Sequence, residues 1–561
     1  MIMLYCWLIT LNLLIMSFFM WMLYIVNNYS MFFQLDLVSF MQVSFSLSMI
    51  VDKYSLIFMI MVTMISTIVM IYSIYYMMEE KMKKKFFLSM FFFILSMMIL
   101  SFSANIFWLM VGWDGLGLSS FILIMYFQNW NSFNSSMTTF MCNRFGDLFM
   151  LISIALMVNF LSNFCLSFLN SNLFSFLFCF FIIVCAMTKS AQVPFSVWLP
   201  LAMAAPTPVS SLVHSSTLIT AGVFLCIRFS SILMEVHFLF ILSYISSFTF
   251  IMSGLSAMYE YDLKKIIALS TLSHMALIFF FLSMNSFESS MIHLITHAIF
   301  KSSLFMSAGV LIHDFCNNQD IRTMKIKTNN MKLIFMIIIP IFSMMGILFL
   351  SGFYSKELMG MTMVWYNTKN CYIGLYFIAV VLTCMYSTRL LYILINNKIN
   401  SNMLYKEENQ SIYYILYVSS SISIFLGGFL LKLITSFWKF QKDVILMKLL
   451  FWLILFFMFI GMLMGFLIAK KNYKNSFMKN FMKKMWFVSS FTFFYQNYFF
   501  KFSMSVMFLD VKGLVDKMIY NWIDLFMKTK MFLMKLMSMK SNYFQLLSMV
   551  LMFLQFLVMM I

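Results

Sequence analysis

Residues 172–230 read NLFSFLFCFFIIVCAMTKSAQVPFSVWLPLAMAAPTPVSSLVHSSTLITAGVFLCIRFS. Two apolar runs flank a stretch holding Pro194, Pro200, Pro206 and Pro208, and one lysine, Lys189, is the single charge in the eighty residues from Leu148 to Ile227. A run this long with one charge spans lipid, because roughly 20 apolar residues cross a bilayer as a helix, and the prolines break one crossing. The rest of the chain reads the same way. Of 561 residues 63% are apolar and 10% charged, with mean hydropathy +0.94, whereas soluble domains carry roughly 25% charge. The continuous runs, without alternation, disfavour a β-barrel. The expected fold is all-α and polytopic.

Apolar runs between polar breaks predict fifteen spans, near 3–26, 54–77, 86–102, 104–127, 137–160, 172–192, 208–230, 236–257, 263–283, 289–311, 333–361, 371–396, 411–431, 448–469 and 543–561. The positive-inside rule places the N-terminus on the inner side, with Lys81, Lys83, Lys84 and Lys85. Pro340, Gly346 and Gly352 mark a second broken span. Paired interruptions point to two inverted repeats, 86–230 and 236–396, with a site near the midplane. The remaining divisions are 1–85, N-terminal spans and a hairpin loop; 411–469, two additional spans; 470–540, a lateral amphipathic helix; and 541–561, an anchoring span. In the lateral segment Asp510, Gly513, Lys517, Asn521, Asp524 and Lys528 recur at three and four, one polar stripe on a surface-lying helix.

The 62 methionines, and only four arginines among 37 basic residues, suit an AT-rich genome in which a second codon is read as Met, and so predict a mitochondrial gene. The N-terminus carries no presequence pattern, which agrees with insertion from within the organelle. Nine scattered cysteines lack cluster spacing, so neither an iron–sulfur nor a zinc site is expected. Gly112-Trp-Asp-Gly115-Leu-Gly117 is no nucleotide loop. The net charge of +18 sits in loops beside spans and does not form a solvated basic domain, so no nucleic acid is expected.

Isolated charges are the strongest functional signal. Asp114 is alone between Phe86 and Asn143, and an ionisable group inside a span costs at least about 2.5 kcal/mol. If Asp114 and Lys189 are each other's nearest charge, making and breaking that contact switches the lysine between holding and releasing a proton; the plainer alternative is a fixed ion pair between helices. His293, His297 and Lys301 stand at i, i+4 and i+8 on one helix face. With no H-E-x-x-H pattern and a lysine in the stripe, a proton relay suits them better than a metal. His214 follows the first break. Lys264 and Lys265 open a span, and one of them can snorkel to the interface. Lys356 and Glu357 follow the second break, pointing about 100 degrees apart. Arg144 and Asp147, at i and i+3, can pair locally, and a structural role for them stands level with a catalytic one. The candidate relay is therefore Asp114, Lys189, His214, Lys264, Lys265, His293, His297, Lys301, Lys356 and Glu357.

The stretches GWDGLG, NRFGD, TKSAQVPFSVWLPLAMAAPTPVSSLVHSSTLITAGVFL, DLKKIIALSTLSHMAL, HLITHAIFKSSLFMSAG, IHDFCNNQDIR and SGFYSKEL resemble the NADH dehydrogenase subunit 5 family, the antiporter-like subunits of mitochondrial respiratory complex I, over residues 54–396. The resemblance implies a core membrane subunit that couples NADH:ubiquinone oxidoreduction elsewhere in the assembly to proton translocation across the inner membrane. It implies no redox centre on this chain, with NADH, FMN, iron–sulfur clusters and ubiquinone on other subunits. Expected partners are other membrane-arm subunits, especially a neighbouring antiporter-like one, and membrane lipids such as cardiolipin. It gives Asp114 the family's carboxylate role, where Glu is usual, Lys189 that of the first broken helix, Lys264 or Lys265 and Lys301 the central lysines, and Lys356 the terminal lysine. One span is read before the first loop, where many relatives have two. The alternative is a freestanding cation/proton antiporter of the related Mrp type.

Overall fold

In the computed structural model the residues described are 2–26, 30–40, 43–160, 172–235, 239–324, 331–365, 370–396, 410–435, 444–470, 477–488 and 501. The chain divides into two compact units, Met1–Val488 and Ser489–Ile561. The expected polar stripe from Asp510 to Lys528 and the closing span at 543–561 lie outside the described residues.

Helix α1 (Ile2–Val26) leads into an antiparallel hairpin, β1 (Met31–Phe40) and β2 (Val43–Val51), paired from Met31↔Val51 to Phe40↔Val43 with an irregularity between Asp36 and Val38. Then come α2 (Lys53–Tyr76), α3 (Lys83–Phe102), α4 (Ile106–Ile124), α5 (Trp130–Phe160) and α6 (Asn172–Lys189). The first break follows: single turns with α7 (Trp198–Leu201) and α8 (Thr207–Val209), a π-helix over Ser210–Thr217, and α9 (Leu218–Arg228). Next are α10 (Ser230–Glu235), α11 (Leu239–Ala257), α12 (Leu263–Ser283) and α13 (Phe287–Asp314). The second break separates α14 (Met331–Met345) from α15 (Ser351–Trp365), and α16 (Asn370–Asn396), α17 (Gln410–Thr435), α18 (Val444–Lys470) and α19 (Phe477–Lys483) close the unit.

Eleven helices among the described residues are long and apolar enough to cross a membrane. Their burial is graded. The most apolar stretch is buried throughout in Thr207–Arg228, α12 and α13, but only 22% buried in α18, whose Trp452, Phe456 and Phe459 are exposed. The outer helices thus turn large apolar side chains to lipid and the innermost three see only protein, so polar groups inside must find partners there. Many do so locally: Thr63 donates to the Met59 carbonyl at 2.8 Å and Ser153 to that of Met150 at 2.6 Å, the back-bonding by which Ser and Thr fit a helix in lipid.

Small residues set the closest packing. Gly461 and Gly465 of α18 lie against α16, where an added Cβ would come within 2.7 Å of the Val381 carbonyl oxygen and 2.0 Å of Thr388 Oγ1. Helix α5 starts at Trp130, seven residues ahead of the expected 137. Its polar first turns read as loop, yet Ser132 accepts from the Asn129 N–H at 2.9 Å and donates to the Asn129 carbonyl at 2.7 Å, holding the entry.

Candidate functional site

The first group lies where α4, α5 and α6 meet. A Cβ on Gly146 would fall 2.1 Å from Thr188 Oγ1, so α5 presses on α6 just beside Asp147 and Lys189. Lys189 is fully buried as the last residue of α6. Its ammonium donates to the Trp113 carbonyl at 2.5 Å and sits 3.7 Å from the centre of the Trp113 ring, and such a cation–π contact gains strength when desolvated. Trp198 Nε1 donates to the Thr188 carbonyl at 3.0 Å, holding the end of α6.

This geometry corrects the expected Asp114–Lys189 pair. Among the described residues no ion pair joins them. Asp114 lies 3.7 Å from Arg144, whose guanidinium is also 3.3 Å from Asp147. The reason is helical: neighbours on α4 point about 100 degrees apart, so the backbone and ring of Trp113 face Lys189 while the Asp114 carboxylate turns to α5. The expected local pair of Arg144 with Asp147 forms, and Arg144 is in addition a bridge between two carboxylates.

The centre is built on the three fully buried helices. His214 lies in the π-helix, where Thr217 Oγ1 donates to the Leu212 carbonyl five residues back at 2.7 Å; such widened turns gather at functional sites. His214 is fully buried, its ring 6.1 Å from that of Trp198. Lys264 is buried and donates to the Ala205 carbonyl at 3.1 Å, a carbonyl freed by the first break. Lys265 is instead 44% exposed and 2.6 Å from Asp262, so it leaves the candidate relay. A rotation of about 100 degrees around the helix separates the two fates.

On α13, His293, His297 and Lys301 are all fully buried. Lys301 donates to Ser270 Oγ of α12 and reaches Met344 Sδ at 2.9 Å. A residue that sequence reasoning missed stands opposite: His274 of α12, fully buried, with Nδ1 3.2 Å from His293 Nε2 and its ring 5.6 Å from that of His297. His293 Nδ1 lies 2.9 Å from Ser355 Oγ. The available signal was the spacing Ser270, Ser273, His274, a polar stripe in an apolar run.

At the second break Gly346 adopts φ +89, a conformation open to glycine, and the turn leaves α14 with free terminal carbonyls. Lys356, on the following half-helix, donates to the Met344 and Met345 carbonyls at 2.9 and 2.8 Å and to Thr383 Oγ1 at 3.0 Å. A cation thus sits at the negative end of a helix dipole. Glu357 is half-buried and makes no ion pair among the described residues, so the structure separates it from Lys356. No three His, Cys, Asp or Glu side chains among the described residues are placed to hold a metal ion. The arrangement can hold and pass protons between fixed donors and acceptors.

Comparison with known proteins places two family descriptions on the chain. "NADH:quinone oxidoreductase/Mrp antiporter, TM" matches residues 103–383, and "NADH-Ubiquinone oxidoreductase (complex I), chain 5 N-terminus" matches residues 37–87. NADH-ubiquinone oxidoreductase chain 5 of Anopheles arabiensis is 44% identical over 331 residues, 58% of this chain and 86% of that protein. The same-named protein of Anopheles gambiae is 42% identical over 379 residues, 67% of this chain and 65% of that protein. That of Locusta migratoria is 42% identical over 393 residues, 69% and 68% of the two chains. Similarity thus spans 65% to 86% of these relatives' length. A chain in the solved Mrp complex from Dietzia sp. DQ12-45-1b matches the fold with TM-score 0.76 at 22% identity, over 95% of this chain and 60% of that one.

Proposed function

Because the chain belongs to the NADH-ubiquinone oxidoreductase chain 5 family, we propose that it is a core membrane subunit of NADH:ubiquinone oxidoreductase that moves protons across the mitochondrial inner membrane. The observation that carries this reading is the confinement of Lys264, His274, His293, His297 and Lys301 to α12 and α13, two helices buried along their whole apolar stretch. Ionisable groups there cost free energy without helping packing, so a role in proton transfer accounts for them. Electron transfer, with its NADH, FMN, iron–sulfur clusters and ubiquinone, belongs to other subunits, and neighbouring antiporter-like subunits and lipids such as cardiolipin are the partners.

Work against the potential is about 2.3 kcal/mol per charge per 100 mV, so the path must not open to both sides together. The gate is the shared guanidinium of Arg144. While it holds Asp114 and Asp147, Lys189 rests on the Trp113 carbonyl; release of either carboxylate toward Lys189 favours its protonated form. Lys264, the histidines of α12 and α13, and Lys301 carry the proton inward to Lys356. Replacing Lys189 or Lys301 by Met in the assembled complex tests the reading. Assembly at the normal level with proton pumping lost supports it. Normal pumping with lowered stability assigns the buried charges to packing alone.

A further inference from the structure

His293 has both ring nitrogens engaged by other helices: Nε2 faces Nδ1 of His274 on α12 at 3.2 Å, and Nδ1 faces Oγ of Ser355 on α15 at 2.9 Å. All three residues are fully buried. The connected groups therefore run across the bundle, from α12 through α13 to the second broken helix, and not along the α13 stripe that the sequence suggests. We propose that His274, His293 and Ser355 form a reversible hydrogen-bond wire, with His274 as its proton-accepting end, that delivers protons from α12 to the half-helix bearing Lys356. This rests on the proton-carrying function proposed above.

The chemistry of imidazole supports a wire over a fixed contact. A neutral ring donates at one nitrogen and accepts at the other, so the three groups have two self-consistent polarities. In the first, His274 Nδ1–H donates to His293 Nε2, His293 Nδ1–H donates to Ser355 Oγ, and the serine hydroxyl is directed to the Gly352 carbonyl at 3.2 Å. A proton arriving at His274 Nε2 expels the Nδ1 proton to His293 Nε2. That ring passes its Nδ1 proton to Ser355 Oγ, and the serine releases its own hydroxyl proton to a water molecule. One proton enters, one leaves, and each nitrogen on the route loses or gains one N–H bond. The second polarity remains, with Ser355 donating to His293 Nδ1 and His293 Nε2–H donating to His274 Nδ1. Return to the first requires each ring to exchange tautomer, giving its Nε2 proton to water and taking one from water at Nδ1, while the serine hydroxyl turns back to the Gly352 carbonyl.

Position also favours the role. His274 Nε2 has no hydrogen-bond partner among the described residues, which leaves it free to accept. Ser355 immediately precedes Lys356 in the first turns of α15, so the wire ends on the half-helix that carries the lysine held on the α14 carbonyls. A packing histidine would need only its ring contacts, with His297 at 5.6 Å and Phe300 at 5.5 Å between centroids.

The test uses the assembled complex in vesicles, reading proton uptake with a pH dye against electrons transferred from NADH. His274→Gln keeps an amide that can bond to His293 but cannot pass a proton; Ser355→Ala removes the hydroxyl and Ser355→Thr keeps it. The wire predicts normal assembly, protons per electron lowered in H274Q and S355A, and recovery in S355T. Wild-type proton uptake in either H274Q or S355A overturns the wire. Should H274Q fail to assemble, the serine pair carries the same decision. Lys301→Met is the control: if it too pumps normally, the proton-carrying reading of the whole chain falls, whereas pumping lost in K301M and kept in H274Q and S355A removes the wire alone.

Discussion

The ammonium of Lys356 rests on the carbonyl of Met344 at 2.9 Å, so a lysine on one half-helix closes the open end of the other. Met344 also offers its sulfur to Lys301 at 2.9 Å. The two lysines therefore share one residue at the break, and a change in the charge of one is felt by the other through a common contact.

Lys356→Met tests that closure. It removes the donor to two carbonyls and to Thr383 Oγ1, and each buried acceptor left unpaired costs about 1–3 kcal/mol. The thermal midpoint of the subunit should fall and proton pumping should drop. Lys356→Arg keeps a cation, and it should restore more of the stability than of the pumping, since guanidinium does not release its proton in proteins. A thermal scan beside the dye assay separates the two effects; equal recovery of both by arginine would show that only charge is needed.

Gly352 gives a second prediction at the same break. An added Cβ would lie 1.8 Å from the Ser343 carbonyl oxygen, whereas at Gly374 nothing lies within 4 Å. Gly352→Ala must push α15 away from α14 and should destabilise by about 1–3 kcal/mol or more, the usual range for overpacking. Gly374→Ala should be neutral to slightly stabilising, because alanine suits a helix better than glycine. Comparing assembled complex at rising temperature for the pair checks the difference directly.

Both breaks were legible because proline and glycine interrupt long apolar runs, and that signal is local. The partners across helices were not. Asp114 and Lys189 are each isolated in sequence, which suggested a pair, but the choice between Lys189 and Arg144 depends on which way α4 turns Trp113 and Asp114, and no spacing records that angle. His274 was hidden for a related reason: one histidine following serines on a buried helix reads as packing until His293 of the next helix is set against it. The π-helix at His214 leaves only a run of Ser and Thr, whose hydroxyls back-bond to carbonyls four and five residues earlier. Lys264 and Lys265 are adjacent, and only the position of the Ala205 carbonyl decides which is inside.

Arg228 pins the end of the first broken helix to two distant segments. It donates to Asp52 at 2.8 Å and to the Ser101 carbonyl at 2.8 Å, tying α9 to the start of α2 and the end of α3. Breaking a buried pair costs about 3–5 kcal/mol; with the Asp52 side chain 31% exposed, Arg228→Met should cost less, about 2 kcal/mol by the same reasoning. Asp52→Asn should cost less again, and the double variant should fall short of the sum, since contacting residues are not additive. Thermal midpoints of the four forms complete the cycle, and strict additivity would remove the pair from the account of stability.

Asp320, in the turn after α13, gives a pH dependence outside the membrane spans. The Arg322 guanidinium bonds both of its oxygens, at 3.0 and 2.5 Å, and holds its carboxyl below the usual carboxylate range. A group whose acidity is strengthened by folding contributes stability that is fully present above its unfolded value and is lost as pH falls through its folded one. The turn is tied to the α11–α12 connection by the Leu263 N–H to Gln319 carbonyl and Ile321 N–H to Tyr261 carbonyl bonds, at 2.9 and 3.0 Å. Acidification below the ordinary range of Asp, about 3.9, should therefore loosen residues 315–324 first. Hydrogen exchange of these amides, corrected for intrinsic rates, should rise on that descent in the native chain. In Asp320→Asn exchange should be raised already at neutral pH and change less with acid. A native turn whose protection stays level to low pH would show that Asp320 and Arg322 meet without securing it.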